Sequence, residues 1–178
     1  MLDNNAQHWR VLPVYTFDLD PRWRLNPSSV ERGPDWFRVQ MVSSIYSTAQ
    51  LAWRQSYVHE PLLDEQLRRA RHGYDLVPDS LVVEKGAPSA EMQTGTQVFD
   101  VPGGWTVAHT VLIMDVPELG GTVEILVGLS ASETEFPTVA EDFANLIDSI
   151  RLGNSTLPIN ELLAEEFGYR AKDDDSHG

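Results

Sequence analysis

The stretch FPTVAEDFANLIDSIRL, from Phe136 to Leu152, decides how this chain is expected to fold. Thr138 and Glu141 have the spacing of a capping box, which predicts a helix start there, and Gly153 predicts the helix end. Its apolar residues recur at steps of three and four, as in an amphipathic helix: Phe136, Val139, Ala140, Phe143, Leu146, Ile147 and Ile150. The other side is polar and holds no grouping suited to catalysis: Glu141, Asp142, Asn145, Asp148 and Ser149. We therefore expect this helix to close the fold rather than carry function.

The residues before this helix predict the sheet that it covers. Apolar and polar residues alternate in short segments, which is typical of strands, and Gly and Pro clusters between them are typical of hairpin turns. The predicted elements are a strand over 80–85, a loop or edge strand over 86–95, a strand over 96–101, a turn over 102–104, a strand over 105–116, a turn over 117–121 and a strand over 122–130. The last strand has one wholly apolar face, made by Val123, Ile125, Val127 and Leu129.

The N-terminal half predicts further strands and one more helix. Pro61 suits the first position of that helix, its acids precede its arginines as the helix dipole favours, and Gly73 suits its end. The predicted elements are a strand over 11–19, a turn-rich connection over 20–34, a strand over 36–45, a strand rather than a helix over 48–58 and the helix over 60–73. Together these patterns predict an α+β fold in which an antiparallel sheet of about six strands packs against helices.

The predicted elements divide the chain into three segments. Residues 1–153 are predicted to form a single α+β domain, 154–169 a C-terminal amphipathic extension, and 170–178 an acidic disordered tail. The extension could form one face of a short helix, and a helix so short needs something to pack against. It could dock on its own domain, dock on a partner or stay mobile. Its candidate partner-binding residues are Ile159, Leu162, Leu163 and Phe167.

The charge of the chain bears on its partners. Residues 1–75 carry as many arginines as acids, so the whole net charge of −14 lies in residues 76–178. That half would repel nucleic acid and an anionic membrane surface, and it would attract a protein with a basic surface. The chain has no cysteine, which excludes disulfides and thiolate metal sites. No signal-peptide pattern is visible, so we predict a cytoplasmic location.

No motif in the sequence specifies a reaction or a cofactor. The patterns of zinc proteases, serine hydrolases and nucleotide-binding loops do not occur. His109 falls within a predicted strand and is interpreted as a structural or surface residue, while Asp18 with Asp20 is a weak acid–base candidate. Arginines alternate with tryptophans over residues 22–38: Arg22, Arg24, Arg32 and Arg38 with Trp23 and Trp36. These side chains either bind single-stranded nucleic acid by stacking and charge, or the arginines pair with nearby acids and stack on the tryptophans. The acids interspersed in this segment favour the second interpretation.

Three stretches resemble the Mog1/PsbP-like superfamily: DPRWRL (Asp20 to Leu25), GGWTVAHTVLIM (103–114) and FANLIDSIRL (143–152). Within it the chain resembles the LpqN-type proteins and the DUF1795 group, which includes the Eag effector chaperones. The resemblance implies an α/β sandwich whose members are mainly binding proteins, chaperones or assembly factors, with no catalytic residues to transfer. LpqN-type proteins are generally exported lipoproteins, and neither their signal-peptide pattern nor their lipobox cysteine is visible in this sequence, so we expect a departure from them here.

Three functional hypotheses remain. The first is a non-enzymatic protein-binding module, such as a cytoplasmic chaperone or adaptor for another protein, without a cofactor. The second is a small-molecule or lipid-binding domain with the ligand between sheet and helix. The third is an enzyme, such as a hydrolase, with a site built from scattered acids and histidines. Exposed edge strands also allow a homodimer.

Overall fold

A computed structural model describes residues 12–17, 19–33, 36–58, 62–87, 92–116 and 121–157. The described chain contains nine strands and two helices, and it belongs to the predicted α+β class. In chain order the elements are β1 (Leu12–Thr16), β2 (Trp23–Arg32), β3 (Trp36–Ser43), β4 (Gln50–Val58), α1 (Leu63–Arg71), β5 (Val82–Lys85), β6 (Met92–Val101), β7 (Trp105–Val116), β8 (Gly121–Ser132), α2 (Phe136–Asp148) and β9 (Arg151–Leu157).

The main sheet has seven strands in the order β2-β3-β4-β8-β7-β6-β5, and every neighbouring pair is antiparallel. The sequence predicts about six strands, so the class is confirmed and the count is slightly low. β1 and β9 pair with each other in a separate two-stranded sheet. The Pro-Gly-Gly turn between β6 and β7 is confirmed, and Gly103 and Gly104 adopt φ values of 99° and 82° that favour glycine.

The largest hydrophobic core lies between the main sheet and α2. Every second residue of β3, β4 and β8 points toward the helix, as the strand period of two requires. Val139, Phe143 and Leu146 of α2 are buried in the same cluster. The apolar face predicted for β8 is buried there completely: Val123, Ile125, Val127 and Leu129. The predicted role of α2 in closing this side of the sheet is therefore confirmed.

The shorter helix α1 packs on the other side of the sheet, over β6 and β7. Leu67 forms a small buried cluster with Val111 and Ile113. Gly95 of β6 lies beneath the helix, where an added Cβ would come within 3.0 Å of Leu67 Cδ1. The helix can approach the sheet this closely because Gly95 has no side chain. α1 begins at Leu63, Pro61 lies outside the described residues, and Gly73 follows the helix end as predicted.

The predicted turn-rich connection over residues 20–34 is wrong in its central part, which forms β2. This strand pairs with β3, but the register shifts between Asn26 and Glu31. Within that bulge the hydroxyl of Ser29 donates to the carbonyl oxygen of Asn26, at 2.6 Å, and accepts from the backbone N–H of Gln40. Serine therefore replaces part of the strand ladder, which is why the local composition resembles a turn.

The capping box and the end predicted for α2 are both wrong. The helix begins at Phe136 without a side-chain cap, and Thr138 already lies inside it. The carboxylate of Glu135 instead accepts hydrogen bonds from Ser47 and Thr48 in the loop before β4. The helix ends at Asp148, and Gly153 belongs to β9.

β9 extends across the predicted domain boundary at residue 153, so the first residues of the predicted extension, up to Leu157, belong to this strand. The rest of the extension and the predicted tail, residues 158–178, lie outside the described residues.

Candidate functional site

The two faces of the main sheet differ in how much they are covered. α2 closes one face, whereas α1 covers only the β6–β7 part of the other. On that second face the outward residues of β2, β3, β4 and β8 are left without a covering helix among the described residues, and we call this surface the open face. Its described members include Arg24, Arg38, Gln40, Gln50, Ala52, Arg54, Gly128 and Ser130.

A cleft of about 270 Å³ lies on the open face beside α1. Its floor follows one row of the sheet, since Gln40 pairs with Ala52, Ala52 with Gly128, and Gly128 with His109. Ala52 and Gly128 have almost no side chain, so the row forms a trough with Gln40 at one end and His109 at the other. Tyr74, which follows α1, stands next to His109 with ring centroids 5.7 Å apart.

His109 is 5% exposed and is held by a buried chain of hydrogen bonds. Its Nδ1 lies 3.1 Å from the amide nitrogen of Gln97, and that nitrogen also donates to the carbonyl oxygen of Leu67 at 2.8 Å. Arg71 Nη1 donates to the amide oxygen of Gln97 at 2.8 Å. Burial lowers the pKa of His109 to about 4, so the ring is neutral at pH 7. His109 therefore has the predicted structural role and also lines the cleft.

Arginines dominate the charge of the open face. On β2, β3 and β4 the described residues of this face include Arg24, Arg38 and Arg54 against one acid, Glu31. Arg38 pairs with Glu31 at 2.6 Å and, through that hydrogen bond, lowers the pKa of the Glu31 carboxyl. Arg54 lies over the ring of Trp36, 5.2 Å from its centroid. The surface is locally positive in a chain whose net charge is −14.

One acid lies deeper on the same face, toward α1. Glu124 is 8% exposed, and burial raises the pKa of its carboxyl, while Arg54 and Arg69 act in the opposite direction. Its charge is therefore easier to neutralise than that of a surface glutamate. Glu124 is not part of the cleft lining, and the arginines remain the nearest strong charges to the trough.

Asp142 of α2 contradicts its predicted place on the solvent side of the helix. It is buried, and its carboxylate accepts from the indole Nε1 of Trp23 at 2.9 Å and from Arg22 Nη2 at 2.6 Å. Arg22 also pairs with Asp20 at 2.9 Å, which lowers the pKa of Asp20 and raises that of Arg22. This cluster ties α2 to the start of β2 and leaves no free carboxylate for acid–base chemistry at Asp20.

The arginine–tryptophan segment therefore acts mainly within the fold. Arg22 and Arg38 are paired with acids, as the interspersed acids indicate, and Trp23 is 4% exposed. A base could not stack on Trp23 without unfolding this region. Asp18 and the side chain of Arg32 lie outside the described residues.

The predicted partner-binding residues Ile159, Leu162, Leu163 and Phe167 also lie outside the described residues. Among the residues that are described, no group of three or more His, Asp or Glu side chains could hold a metal ion. Neither described helix is long and apolar enough to cross a membrane.

The cleft residues could not be selected from the sequence. Ala52, Gly128 and His109 come from three separate segments, and the sequence singles out only His109, as a histidine within a predicted strand. The sequence pattern that could have indicated this surface is the polar side of two predicted strands. Arg38 and Gln40 lie on that side of one strand, and Gln50 and Arg54 on that side of the other. That signal acquires meaning only once the strand register is known.

No protein-family model matches the chain, and no curated protein matches its sequence significantly. Among solved structures it is similar to LpqN, involved in cell envelope biogenesis of Mycobacterium tuberculosis, with 12% identity, a TM-score of 0.46, and coverage of 80% of this chain and 85% of LpqN. It is similar to the Ran-binding protein Mog1p of Saccharomyces cerevisiae, with 10% identity, a TM-score of 0.49, and coverage of 78% and 90%. It is also similar to cyanobacterial PsbP of Synechocystis, with 13% identity, a TM-score of 0.42, and coverage of 80% and 94%. These are the groups named by the sequence resemblance, and at such identities and TM-scores the likeness concerns the fold and carries no argument about function.

Proposed function

We propose that this chain is a non-enzymatic protein-binding module that docks an acidic segment of another protein on the open face. The observation that carries the proposal is the concentration of arginines there. Arg24, Arg38 and Arg54 lie on a sheet surface that no described helix covers, beside a cleft, in a strongly acidic chain. Charge complementarity of this kind directs partner choice and orientation more than it adds affinity.

The packing under α2 favours this proposal over a small molecule or lipid held between the sheet and that helix. Large side chains, among them Trp53 and Phe37, fill the space under α2 and are fully buried. The cavity at the edge of α2, next to Trp23 and Asp142, measures about 30 Å³, which suits about one water molecule. The cleft on the open face is also smaller than the roughly 300 Å³ at which drug-sized ligand pockets begin.

The sequence predicts a partner with a basic surface, and the open face adds a different, acidic partner, because arginines outnumber acids on that face although the chain as a whole is acidic. The basic partner stays a proposal for the acidic regions of the chain. A contact through Ile159, Leu162, Leu163 and Phe167 likewise stays a proposal, as do a cytoplasmic location, a homodimer and the absence of nucleic-acid and membrane partners.

Fluorescence anisotropy tests the proposal with a fluorescein-labelled peptide of alternating glutamate and serine. The matched peptide has glutamine in place of glutamate. We expect the full chain to prefer the glutamate peptide, and the double variant Arg38→Gln/Arg54→Gln to bind it about 5- to 30-fold more weakly, since two exposed charge contacts contribute about 1–2 kcal/mol together. Arg68→Gln/Lys85→Gln changes net charge equally but alters exposed residues of α1 and β5, at the far end of the sheet from the open face, so it should leave binding nearly unchanged.

Equal affinity for the two peptides would refute the proposal, and so would an equal loss in both double variants. A single-stranded oligonucleotide of matched charge provides the competing ligand class. If it bound more tightly than the glutamate peptide and lost affinity in the Arg38→Gln/Arg54→Gln variant, the open face would be a nucleic-acid surface instead.

A further inference from the structure

The orientation of the Gln97 amide is fixed by its neighbours. Arginine can only donate hydrogen bonds, so the atom that Arg71 Nη1 contacts at 2.8 Å is the amide oxygen. The amide nitrogen then faces Leu67 O and His109 Nδ1 and uses one hydrogen for each. Because an amide nitrogen cannot accept, Nδ1 of His109 must be the acceptor of that bond and carries no proton.

The neutral ring of His109 must therefore carry its proton on Nε2. No described residue accepts a hydrogen bond from this N–H group. The neighbour on that side is Gly128, where even an added Cβ would lie 3.9 Å from Nε2. His109 is thus a buried donor with a fixed tautomer whose free N–H borders the cleft, and a donor in such a place lowers the energy of a ligand that accepts from it.

Arg54 supplies the charge that selects the kind of acceptor. It lies in the cleft lining on β4, two strands across from His109 and two residues further along, so the two backbones are about 12 Å apart. The ring of Trp36 holds it in place, and it forms no ion pair within the described part of the chain. Its nearest acidic influence is the partly desolvated Glu124.

We propose that the cleft is a carboxylate-binding subsite, in which His109 Nε2–H donates to an aspartate or glutamate side chain of the docked segment and Arg54 neutralises its charge. The carboxylate takes its hydrogen bond from His109, and Arg54, whose guanidinium lies over Trp36, acts on its charge across the cleft rather than through a shared hydrogen bond. The inference rests on the proposed function for its partner, an acidic protein segment, but the chemistry of the subsite can be tested without that partner.

Nuclear magnetic resonance of the full chain at pH 7 provides the test, with N-acetylglutamate methylamide as the probe. The ¹H and ¹⁵N resonances of His109 Nε2–H report directly on a new acceptor. We expect a saturable shift with this probe and at least about 10-fold weaker binding of N-acetylglutamine methylamide, because hydrogen bonds to a charged acceptor are the stronger ones. Inorganic phosphate is titrated in parallel.

Four variants complete the test. Ala52→Leu fills the trough at an exposed position without touching the Gln97–His109 chain, and Arg54→Gln removes the charge. Ala52→Leu should weaken the glutamate probe about 10-fold or more, and Arg54→Gln about 2- to 5-fold, since a single exposed charge contact contributes up to about 1 kcal/mol. Arg68→Gln, on the exposed side of α1, should bind like the unaltered chain. His109→Phe keeps an aromatic ring and should abolish the difference between the glutamate and glutamine probes.

The subsite would be refuted by equal shifts with both probes, by no shift of the His109 resonance, or by unaltered binding in Ala52→Leu. Stronger binding of phosphate than of the glutamate probe would also overturn the assignment to carboxylate. If the glutamate probe behaves as expected while the glutamate–serine peptide fails to bind, the subsite stands and the proposed protein-docking function fails. If the peptide binds but His109 does not respond, the reverse holds.

Discussion

Replacing Asp142 with alanine should destabilise the fold far more than replacing an exposed acid of the same helix. Asp142 accepts from Trp23 Nε1 and from Arg22 Nη2. Without the carboxylate, the indole N–H of Trp23 remains in a site that is 4% exposed and has no other acceptor among the described residues. The Arg22 side chain is 42% exposed and keeps Asp20 as a partner, so water compensates most of its loss.

The size of the effect follows from these two environments. An unsatisfied buried donor costs about 1–3 kcal/mol, and a half-exposed ion pair contributes about 0–1 kcal/mol. We therefore expect Asp142→Ala to lower the free energy of unfolding by about 2–3 kcal/mol. For a domain of this size that corresponds to a decrease in Tm of about 4–12 °C. Asp148→Ala removes an equal charge at an exposed position and should change stability by less than about 0.5 kcal/mol.

Urea unfolding of the two variants measures this difference, and a double-mutant cycle with Trp23→Phe identifies its cause. Phenylalanine has no N–H group to leave unsatisfied, so Asp142→Ala should cost at least about 1 kcal/mol less in the Trp23→Phe background. The reasoning is wrong if Asp142→Ala and Asp148→Ala are equally mild, or if the cost of Asp142→Ala is the same in both backgrounds.

Three further predictions concern other parts of the fold. The pKa of about 4 for folded His109 lies below the unfolded value near 6.5, so the free energy of unfolding should decrease by up to about 3 kcal/mol as pH falls from about 6.5 toward 4. His109→Phe should flatten that part of a pH profile measured by urea unfolding. Glu124, whose raised pKa acts in the opposite direction, is present in both proteins, so its contribution cancels in the comparison. Gly104→Ala should lower the free energy of unfolding, measured by thermal unfolding, by about 1 kcal/mol, because φ is 82° at this position. Steric overlap is not the cause, since nothing lies within 4 Å of an added Cβ. Asparagine tolerates this backbone conformation better than alanine, so an equal decrease in Gly104→Asn would contradict the explanation. Glu135→Ala should speed amide hydrogen exchange at Thr48, whose N–H donates to that carboxylate, and unchanged exchange would show that the bond does not hold the loop.

The elements that were predictable from the sequence are those whose burial repeats with their own period. β8 alternates and α2 repeats at three and four residues because each meets the core on one side only. β2 was missed because its local composition indicates turns, whereas its hydrogen bonds come from β3 across a bulge. Local signals describe the chain near a residue, and strand pairing is not local.

The burial of Asp142 was unpredictable for a related reason. The helical pattern places it among polar residues, and the group that buries it, Trp23, is 119 residues away in sequence. Both residues are ordinary in their own segments. Only the docking of α2 against the start of β2 makes a buried acceptor necessary at this position, since the indole N–H would otherwise be unsatisfied.

The separation of charge in this domain has a consequence for an acidic partner. Exposed acids of α2, such as Glu141 and Asp148, lie on one side of the sheet, whereas Arg38 and Arg54 lie on the open face, about 10 Å or more away across the sheet. At physiological ionic strength the Debye length is about 8 Å, so those distant acids are largely screened while the contacted arginines are not. At low salt the repulsion from a net charge of −14 reaches the partner as well. Affinity for an acidic segment should therefore first rise and then fall with increasing salt, since the first salt added screens the distant acids and further salt weakens the arginine contacts themselves.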